Sequence, residues 1–184
     1  ENDRTFSWTW NNILTYDKTL GEHHFNLLAG QEAYSYRYDV LRASRSNMAL
    51  PDFPELAVGS LVTGGTGYRV DYSLVGYFLN AQYDYQSKYF FSGSYRRDGS
   101  SRFAPETRWG NFWSVGASWR IDREDFMVAT SDWLSALTLK VSYGAQGNDN
   151  LGTYYASSGL YSVVSNNGEN ALVSDRLATP KLKW

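Results

Sequence analysis

Four short stretches hold residue types that could do chemistry. Glu22-His23-His24 offers a carboxylate and two imidazoles, the ingredients of a metal site. On an extended chain adjacent side chains point to opposite faces, and no third ligand stands at a matching spacing, so a turn or interfacial role is the better reading. Glu124-Asp125 are neighbouring carboxylates in a short join, whereas glycoside hydrolysis needs two that face one cleft. Gly64-Gly65-Thr66-Gly67 lacks the Lys and the helix that follow a phosphate loop and reads as flexible connection. Asn148-Asp149-Asn150-Leu151-Gly152 has the oxygen-rich character of a calcium loop without its spacing or terminal Glu. With no Ser, His and Asp in a supporting arrangement, the chain is expected to be no enzyme and to need no metal or cofactor.

Composition narrows the class. The 184 residues carry 17 Lys and Arg against 19 Asp and Glu, a formal charge of −2. That balance offers no counterion-release drive toward nucleic acid, so no nucleic-acid partner is expected. Aromatic residues make up 17% of the chain and Pro numbers only 4, which excludes disorder. The absence of Cys excludes disulfides and thiolate metal sites. No apolar run reaches the roughly 18 residues of a membrane helix. A membrane barrel stays open, because its strands alternate and average out as polar. The chain begins Glu1-Asn2-Asp3-Arg4, with neither initiator Met nor leader, and stops at Trp184 where a new segment begins, so it reads as a piece of a longer polypeptide.

The elements that must position these residues are strands. Phe6, Trp8, Trp10, Leu14 and Tyr16 share one face of a first segment. Val75, Tyr77, Leu79, Ala81, Tyr83 and Tyr85 alternate with polar residues in a third. Trp113, Val115, Ala117, Trp119 and Ile121 do so in a fifth, and Leu137, Leu139, Val141, Tyr143 and Ala145 in a sixth. The second (23–37) and fourth (89–98) are weaker. A seventh is expected to start near Trp184.

The joins alternate in length. Residues 17–23, 86–88 and 123–133 are short, and Arg123 to Met127 could form one helical turn. Residues 38–70, 99–111 and 147–179 are long. Short turns on one rim and long loops on the other is the layout of an outer-membrane barrel. A soluble β-sandwich also alternates. The barrel is favoured by Trp and Tyr near segment ends, where interfacial girdles lie, by a face rich in Ser, Thr, Gly and Asn, and by loops too long for an economical sandwich. Six strands are too few to close a barrel, so the fold expected is all-β: an antiparallel meander of six to seven strands over 1–184, part of a large transmembrane barrel.

The stretch 89–148 is more specific. Tyr89-Phe90-Phe91-Ser92-Gly93-Ser94-Tyr95-Arg96-Arg97-Asp98-Gly99-Ser100-Ser101-Arg102-Phe103 is followed by Arg108-Trp109-Gly110, Ser118-Trp119-Arg120-Ile121, Glu124 and Phe126. Trp133-Leu134-Ser135, Leu139-Lys140, Ser142-Tyr143-Gly144 and Gly147-Asn148 close the block. This resembles the barrel of SusC/RagA-like TonB-dependent transporters of Bacteroidetes outer membranes. Tyr77-Phe78, Tyr83-Asp84-Tyr85 and Lys88-Tyr89 look like the preceding strand pair, and Pro180-Lys181-Leu182-Lys183-Trp184 like the opening of a later strand. The resemblance is strong over 74–150 and architectural over 1–73.

It implies a multi-pass outer-membrane importer of a nutrient glycan or peptide. Its partners would be a SusD-like surface lipoprotein, outer-membrane lipid, and TonB acting through a plug domain that this chain lacks. Arg96 is directed toward the lumen by the alternation and could pair with Asp84. With Asp84, Arg120 and Lys140 it forms the candidate set of lumen or plug contacts, a structural ion pair being the simpler reading. Tyr68, Phe103, Trp109, Tyr154, Tyr155 and Tyr161 are candidate ligand or lid contacts in exterior loops, loop self-packing being the simpler reading. The rival readings are a secreted β-rich carbohydrate-binding module, soluble without detergent, a hydrolase fragment with a carboxylate or nucleophile cluster, and a passive porin without a plug.

Overall fold

The computed structural model describes residues 2–50, 52–53, 55–130 and 132–184. Six strands form one antiparallel sheet in chain order: β1 (Asn2–Leu20), β2 (His23–Met48), β3 (Gly59–Tyr85), β4 (Tyr89–Ser100), β5 (Trp109–Arg120) and β6 (Thr138–Ala145). A separate hairpin, β7 (Leu160–Asn166) and β8 (Glu169–Arg176), lies in the segment after β6.

The register carries the period-two pattern coherently across all six strands. One row runs Tyr16, Leu27, Ala81, Gly93, Val115, Tyr143, and the next Leu14, Ala29, Leu79, Tyr95, Trp113, Ala145. On the other face Asp17, Asn26, Gln82, Ser92, Gly116 and Ser142 form a row. A one-residue slip in any strand would exchange the faces, so the burial demand of the apolar face fixes the register. The apolar face is bare: Leu79 is 50% exposed, Phe91 53% and Val141 67%. A continuous uncovered apolar sheet is unstable in water and is what a lipid-facing wall presents. No helix among the described residues is long and apolar enough to cross a membrane.

Tight joins occupy one rim. Gly21, at φ 62°, turns β1 into β2, and Gln86 and Ser87, at φ 55° and 51°, turn β3 into β4. The join from β5 to β6 carries two 3-10 turns, Ile121–Arg123 and Asp125–Thr130, where a helical turn was expected.

The opposite rim departs from expectation. Residues 38–70 are mostly strand: β2 and β3 stay paired from His23↔Tyr85 to Met48↔Gly59, with a bulge between Ser44 and Arg45. Strands of 26 and 27 residues far exceed the roughly 9–11 that cross a bilayer, so the hairpin projects well beyond the apolar band. Tyr68 and Trp109 accordingly belong to strands β3 and β5 rather than to loops. The only packed core among the described residues lies on this rim, where Val40, Phe103, Ala104 and Ala156 are buried. Trp184, near which a seventh strand is expected to start, packs against this rim: its indole lies 5.2 and 5.3 Å from Phe103 and Phe112, and its Nε1 donates to the Arg108 carbonyl at 2.7 Å.

Candidate functional site

The polar face has two zones. Toward the tight-turn rim it is lined by small hydroxyl and amide groups. Ser94 and Ser114 Oγ meet at 2.6 Å, and a recess of about 480 Å³ is bounded by His24, Asn26, Gln82, Asp84, Ser92 and Lys140. Asp84 is taken up by the turn itself, accepting the Ser87 backbone N–H at 2.8 Å. Arg120 Nη2 donates to Asp122 Oδ2 at 2.5 Å, and Asp122 Oδ1 also accepts the Leu137 N–H at 3.3 Å. Those bonds, the Arg120 guanidinium foremost, hold the Asp122 carboxyl below its ordinary pKa. His24 Nε2 lies 3.1 Å from Asp17, while His23 faces the other way and meets the Tyr83 hydroxyl at 2.8 Å.

Toward the long-loop rim the polar face becomes aromatic. Alternation puts Tyr34, Tyr36 and Tyr38 of β2 on it, facing Tyr68 and Tyr72 of β3. Tyr34 and Tyr72 meet edge-on at 5.9 Å and Tyr38 and Tyr68 at 6.2 Å. The segment after β6 folds back onto this wall. Tyr154 stacks on Tyr36 at 6.0 Å and tilts against Tyr72 at 5.7 Å. Tyr155 Oη accepts the Asp71 N–H at 3.1 Å and donates to the Arg69 carbonyl at 3.3 Å. Those groups lie on the edge of β3 that β4 has already left, so Tyr155 satisfies an otherwise open edge.

The run Arg96 to Arg102 organises the junction of the two zones. Arg96, Asp98 and Ser100 point to the polar face. Arg96 Nε donates to Asp98 at 2.7 Å, its Nη2 lies 3.6 Å from Glu32, and its guanidinium covers Phe78 at 5.5 Å. The expected Arg96–Asp84 pair does not form: Arg96 registers with Phe78, and Asp84 with Phe90, six positions away. The i, i+2 spacing of Arg96 and Asp98 was the sequence signal for the actual partner. A Cβ at Gly76, the cross-strand neighbour of Asp98, would lie 2.4 Å from Asp98 Oδ1 and 2.8 Å from Arg96 Nη2, so any larger residue would displace the ends of the paired side chains from this arrangement.

Beyond Ser100 the chain leaves the sheet, and the Arg102 guanidinium lies over the rings of both Tyr72 and Tyr154, at 4.6 and 4.9 Å. Its Nη1 donates to the Asp149 carbonyl oxygen at 2.7 Å. Asp149 Oδ2 accepts the Tyr72 hydroxyl at 2.6 Å and the Ser100 hydroxyl at 2.8 Å. The stretch around Asp149 therefore pins a loop to the wall instead of offering a cation its oxygens. Among the described residues no group of three potential metal ligands gathers anywhere.

Of the exterior aromatics expected to meet a ligand or lid, Tyr68, Tyr154 and Tyr155 gather on or against the aromatic wall. Phe103 is only 1% exposed and is engaged by Trp184. Trp109 lies on the apolar face beside Tyr77 at 6.3 Å, and Tyr161, 66% exposed, lies apart on β7. The residues that sequence reasoning passed over are Tyr34, Tyr36, Tyr38 and Tyr72. The i, i+2 tyrosines of β2 were the signal, hidden because alternation was traced only on the apolar side.

A one-layer sheet with a lipid-type band on one face, a hydrated and partly aromatic opposite face, and tight turns on one rim only is a wall segment of an outer-membrane barrel. No family model matches the chain. It is 30% identical over 94% of its length to TonB-dependent receptor P3 of Formosa agariphila and 30% identical over 88% to TonB-dependent receptor SusC of Bacteroides thetaiotaomicron. The solved structure of the RagAB peptide transporter matches 99% of the chain at a TM-score of 0.91 and 27% identity. The chain spans 18% and 16% of the length of those two receptors and 20% of the RagAB chain. It is a stretch of barrel of the SusC/RagA-like TonB-dependent type.

Proposed function

We propose that this chain supplies wall, projecting hairpin and an inward-folded loop to an outer-membrane importer of a nutrient glycan or peptide. Its relatives bear the names of receptors and transporters, not enzymes, and the chain itself performs no covalent chemistry in this reading. The observation that carries the proposal is the aromatic wall of Tyr34, Tyr36, Tyr38, Tyr68 and Tyr72 on the polar face, with Tyr154 stacked against it. Planar phenols stack on sugar rings or peptide side chains and direct hydroxyls at them. The charges beside them are already paired, as Arg96–Asp98 and Arg102–Asp149, so the wall presents rings and hydroxyls rather than bare charge.

In the full transporter, ligand would be held at this wall beneath a SusD-like surface lipoprotein. TonB, pulling on a plug domain within the barrel, would then open the path. The small-residue zone with Asp84, Arg120 and Lys140 faces the space such a plug would fill. Residues 1–184 are thus a partial barrel of a multi-pass outer-membrane protein, in contact with outer-membrane lipid. The test is uptake by cells producing the full-length transporter with Tyr36→Ala and Tyr38→Ala together. Uptake reduced about tenfold or more at unchanged barrel assembly is expected from the loss of two stacking surfaces. Uptake equal to wild type would remove the wall as the ligand surface.

A further inference from the structure

On the apolar face, one register row breaks the lipid-type pattern. Gln31 of β2, Tyr77 of β3, Arg97 of β4 and Asn111 of β5 follow one another across the sheet, with Asn12 of β1 completing the row. Eight residues separate Tyr77 from Tyr85 in the girdle at the tight-turn rim. That is about 27 Å of strand, and about 20 Å along the membrane normal at the usual tilt. The row therefore lies near the long-loop edge of a band about 25 Å tall, at headgroup depth.

Its chemistry is one-sided. Asn12 Nδ2 donates to Gln31 Oε1 at 3.4 Å, and the Tyr95 hydroxyl donates to Asn111 Oδ1 at 2.8 Å. Both amide oxygens are thereby engaged as acceptors, which leaves the NH₂ groups of Gln31 and Asn111 as the donors these side chains can offer a ligand. Arg97, between them, is exposed and has no carboxylate within ion-pairing distance among the described residues. The arginines farther out on this face differ, since Arg37 pairs with Asp71 and Arg69 with Asp39 across β2 and β3.

The cation is also positioned. The Arg97 guanidinium lies over the Trp109 indole at 5.3 Å, and Tyr77 stacks on the same indole at 6.3 Å. Gly99 gives the indole room: a Cβ there would come within 3.0 Å of Trp109 ring atoms and push the ring away from β4 by a few tenths of an ångström. Tryptophan and tyrosine at this depth anchor to the interface, and an arginine stacked on them is held ready for an anion.

We propose that Arg97, with the Asn111 amide beside it and the Gln31 amide two strands along the row, is a binding site for the phosphate of the outer leaflet's saccharolipid, lipid A. Guanidinium matches phosphate oxygens in a two-pronged geometry, the neighbouring Asn111 amide adds a donor, and among the described residues no carboxylate competes. The row's position on the long-loop side, facing the outer leaflet, selects the saccharolipid over the phospholipid of the inner one. The site rests on the membrane reading of the apolar band but not on what the transporter carries.

The experiment uses the full-length transporter extracted from outer membranes and reconstituted in nanodiscs. The discs contain lipid A, dephosphorylated lipid A or phosphatidylglycerol, and retained lipid is counted by native mass spectrometry. Wild type is expected to retain lipid A in preference to both other lipids. Arg97→Ala is expected to lower that retention about tenfold, the effect of one lost charge-assisted contact. Asn111→Asp, nearly isosteric, supplies Arg97 with an internal counterion and is expected to lower retention equally, which keeps the proposal testable should Arg97→Ala assemble poorly. Equal retention of lipid A and its dephosphorylated form, equal competition by phosphatidylglycerol, or undiminished retention in Asn111→Asp would each overturn the site. Uptake of nutrient would then be unaffected, whereas failure of the transport reading would show in uptake with lipid retention intact.

Discussion

The Tyr72 phenol on β3 donates to Oδ2 of Asp149, 77 residues later in the chain, across 2.6 Å. Both groups are partly buried, and burial with the neighbouring carboxylate gives the pair a fixed polarity, phenol as donor and carboxylate as acceptor. The same carboxylate accepts from Ser100, so two separate parts of the chain converge on the side chain of a third. Asp149 is the polar anchor of the loop after β6, which Tyr154 and Tyr155 attach to the wall a few residues further on.

Removing the carboxylate should therefore free the loop. Asp149→Ala leaves the Tyr72 and Ser100 hydroxyls unpaired, a cost of about 1–3 kcal/mol for each partly buried group left without its partner. Limited proteolysis of the full-length protein should cut within 146–158 at least about tenfold faster than in wild type, with the barrel itself still resistant. Tyr72→Phe retains the ring under Arg102 and Tyr154 and should accelerate cleavage far less. Equal protection in all three proteins would mean that the loop is held by something other than Asp149.

Arg102 tests a different component of the same junction. Its planar guanidinium lies over both Tyr72 and Tyr154 while its Nη1 reaches the Asp149 carbonyl. Lysine keeps the charge but neither the plane nor the directed donor. Arg102→Lys should expose the loop nearly as much as Arg102→Ala, by the same proteolysis. If lysine restored full protection, charge alone would explain the residue and the stacked geometry would be incidental.

These contacts also mark where sequence legibility ended. β1, the 75–85 part of β3, β5 and β6 were readable because lipid on one side and water on the other force an alternation, which was weaker in β2 over 23–37 and in β4. Residues 38–70 were not, because a hairpin beyond the membrane has water on both faces. There the pairing is carried by cross-strand ions such as Arg37–Asp71 and Arg69–Asp39, interspersed with glycines, and no period remains. The β7–β8 hairpin did carry a local signal, Asn167-Gly168 at φ 53° and 91°, the pattern of a two-residue hairpin turn. The Tyr72–Asp149 bond had none, since nothing local relates residues so distant. The pairing of Arg96 failed for a simpler reason: register decides which residues face each other, and Asp84 is on the right face but at the wrong height.

The facing of the strands makes a graded prediction. Val115, 52% exposed in mid-band on the apolar face, should not tolerate arginine: a charge there costs about 2–4 kcal/mol against lipid. Leu139 pairs with Trp119 in the girdle, where an arginine can extend to the interface, and Leu139→Arg should cost less. Ser118, on the polar face, should accept arginine with little effect. Heat-modifiability of the full-length barrel in outer-membrane fractions should rank assembly as Ser118→Arg, Leu139→Arg, Val115→Arg. The reverse order would exchange the lumen and lipid faces.

At the tight-turn rim, Glu124 Oε1 accepts from the Tyr89 hydroxyl at 2.5 Å and the Trp119 indole at 2.9 Å, while Lys88 Nζ lies 3.4 Å from Oε2. These residues all belong to the stretches that carried the family resemblance, and here they lock the β5–β6 join under the girdle. The Tyr89 hydrogen bond first, then those of Trp119 and Lys88, hold the Glu124 carboxyl below its ordinary pKa. A carboxylate whose pKa is depressed in the folded state contributes stability that is present above its unfolded value, about 4.3, and is lost as pH falls through the folded one. Wild type should thus lose melting temperature on acidification below about pH 4 by more than Glu124→Gln does. The variant, lacking the titrating group, should melt lower than wild type at pH 7 and converge with it in acid. Parallel melting curves across that range would show that the join is held by packing of Tyr89 on Trp119, whose rings stack at 6.4 Å, and not by the carboxylate.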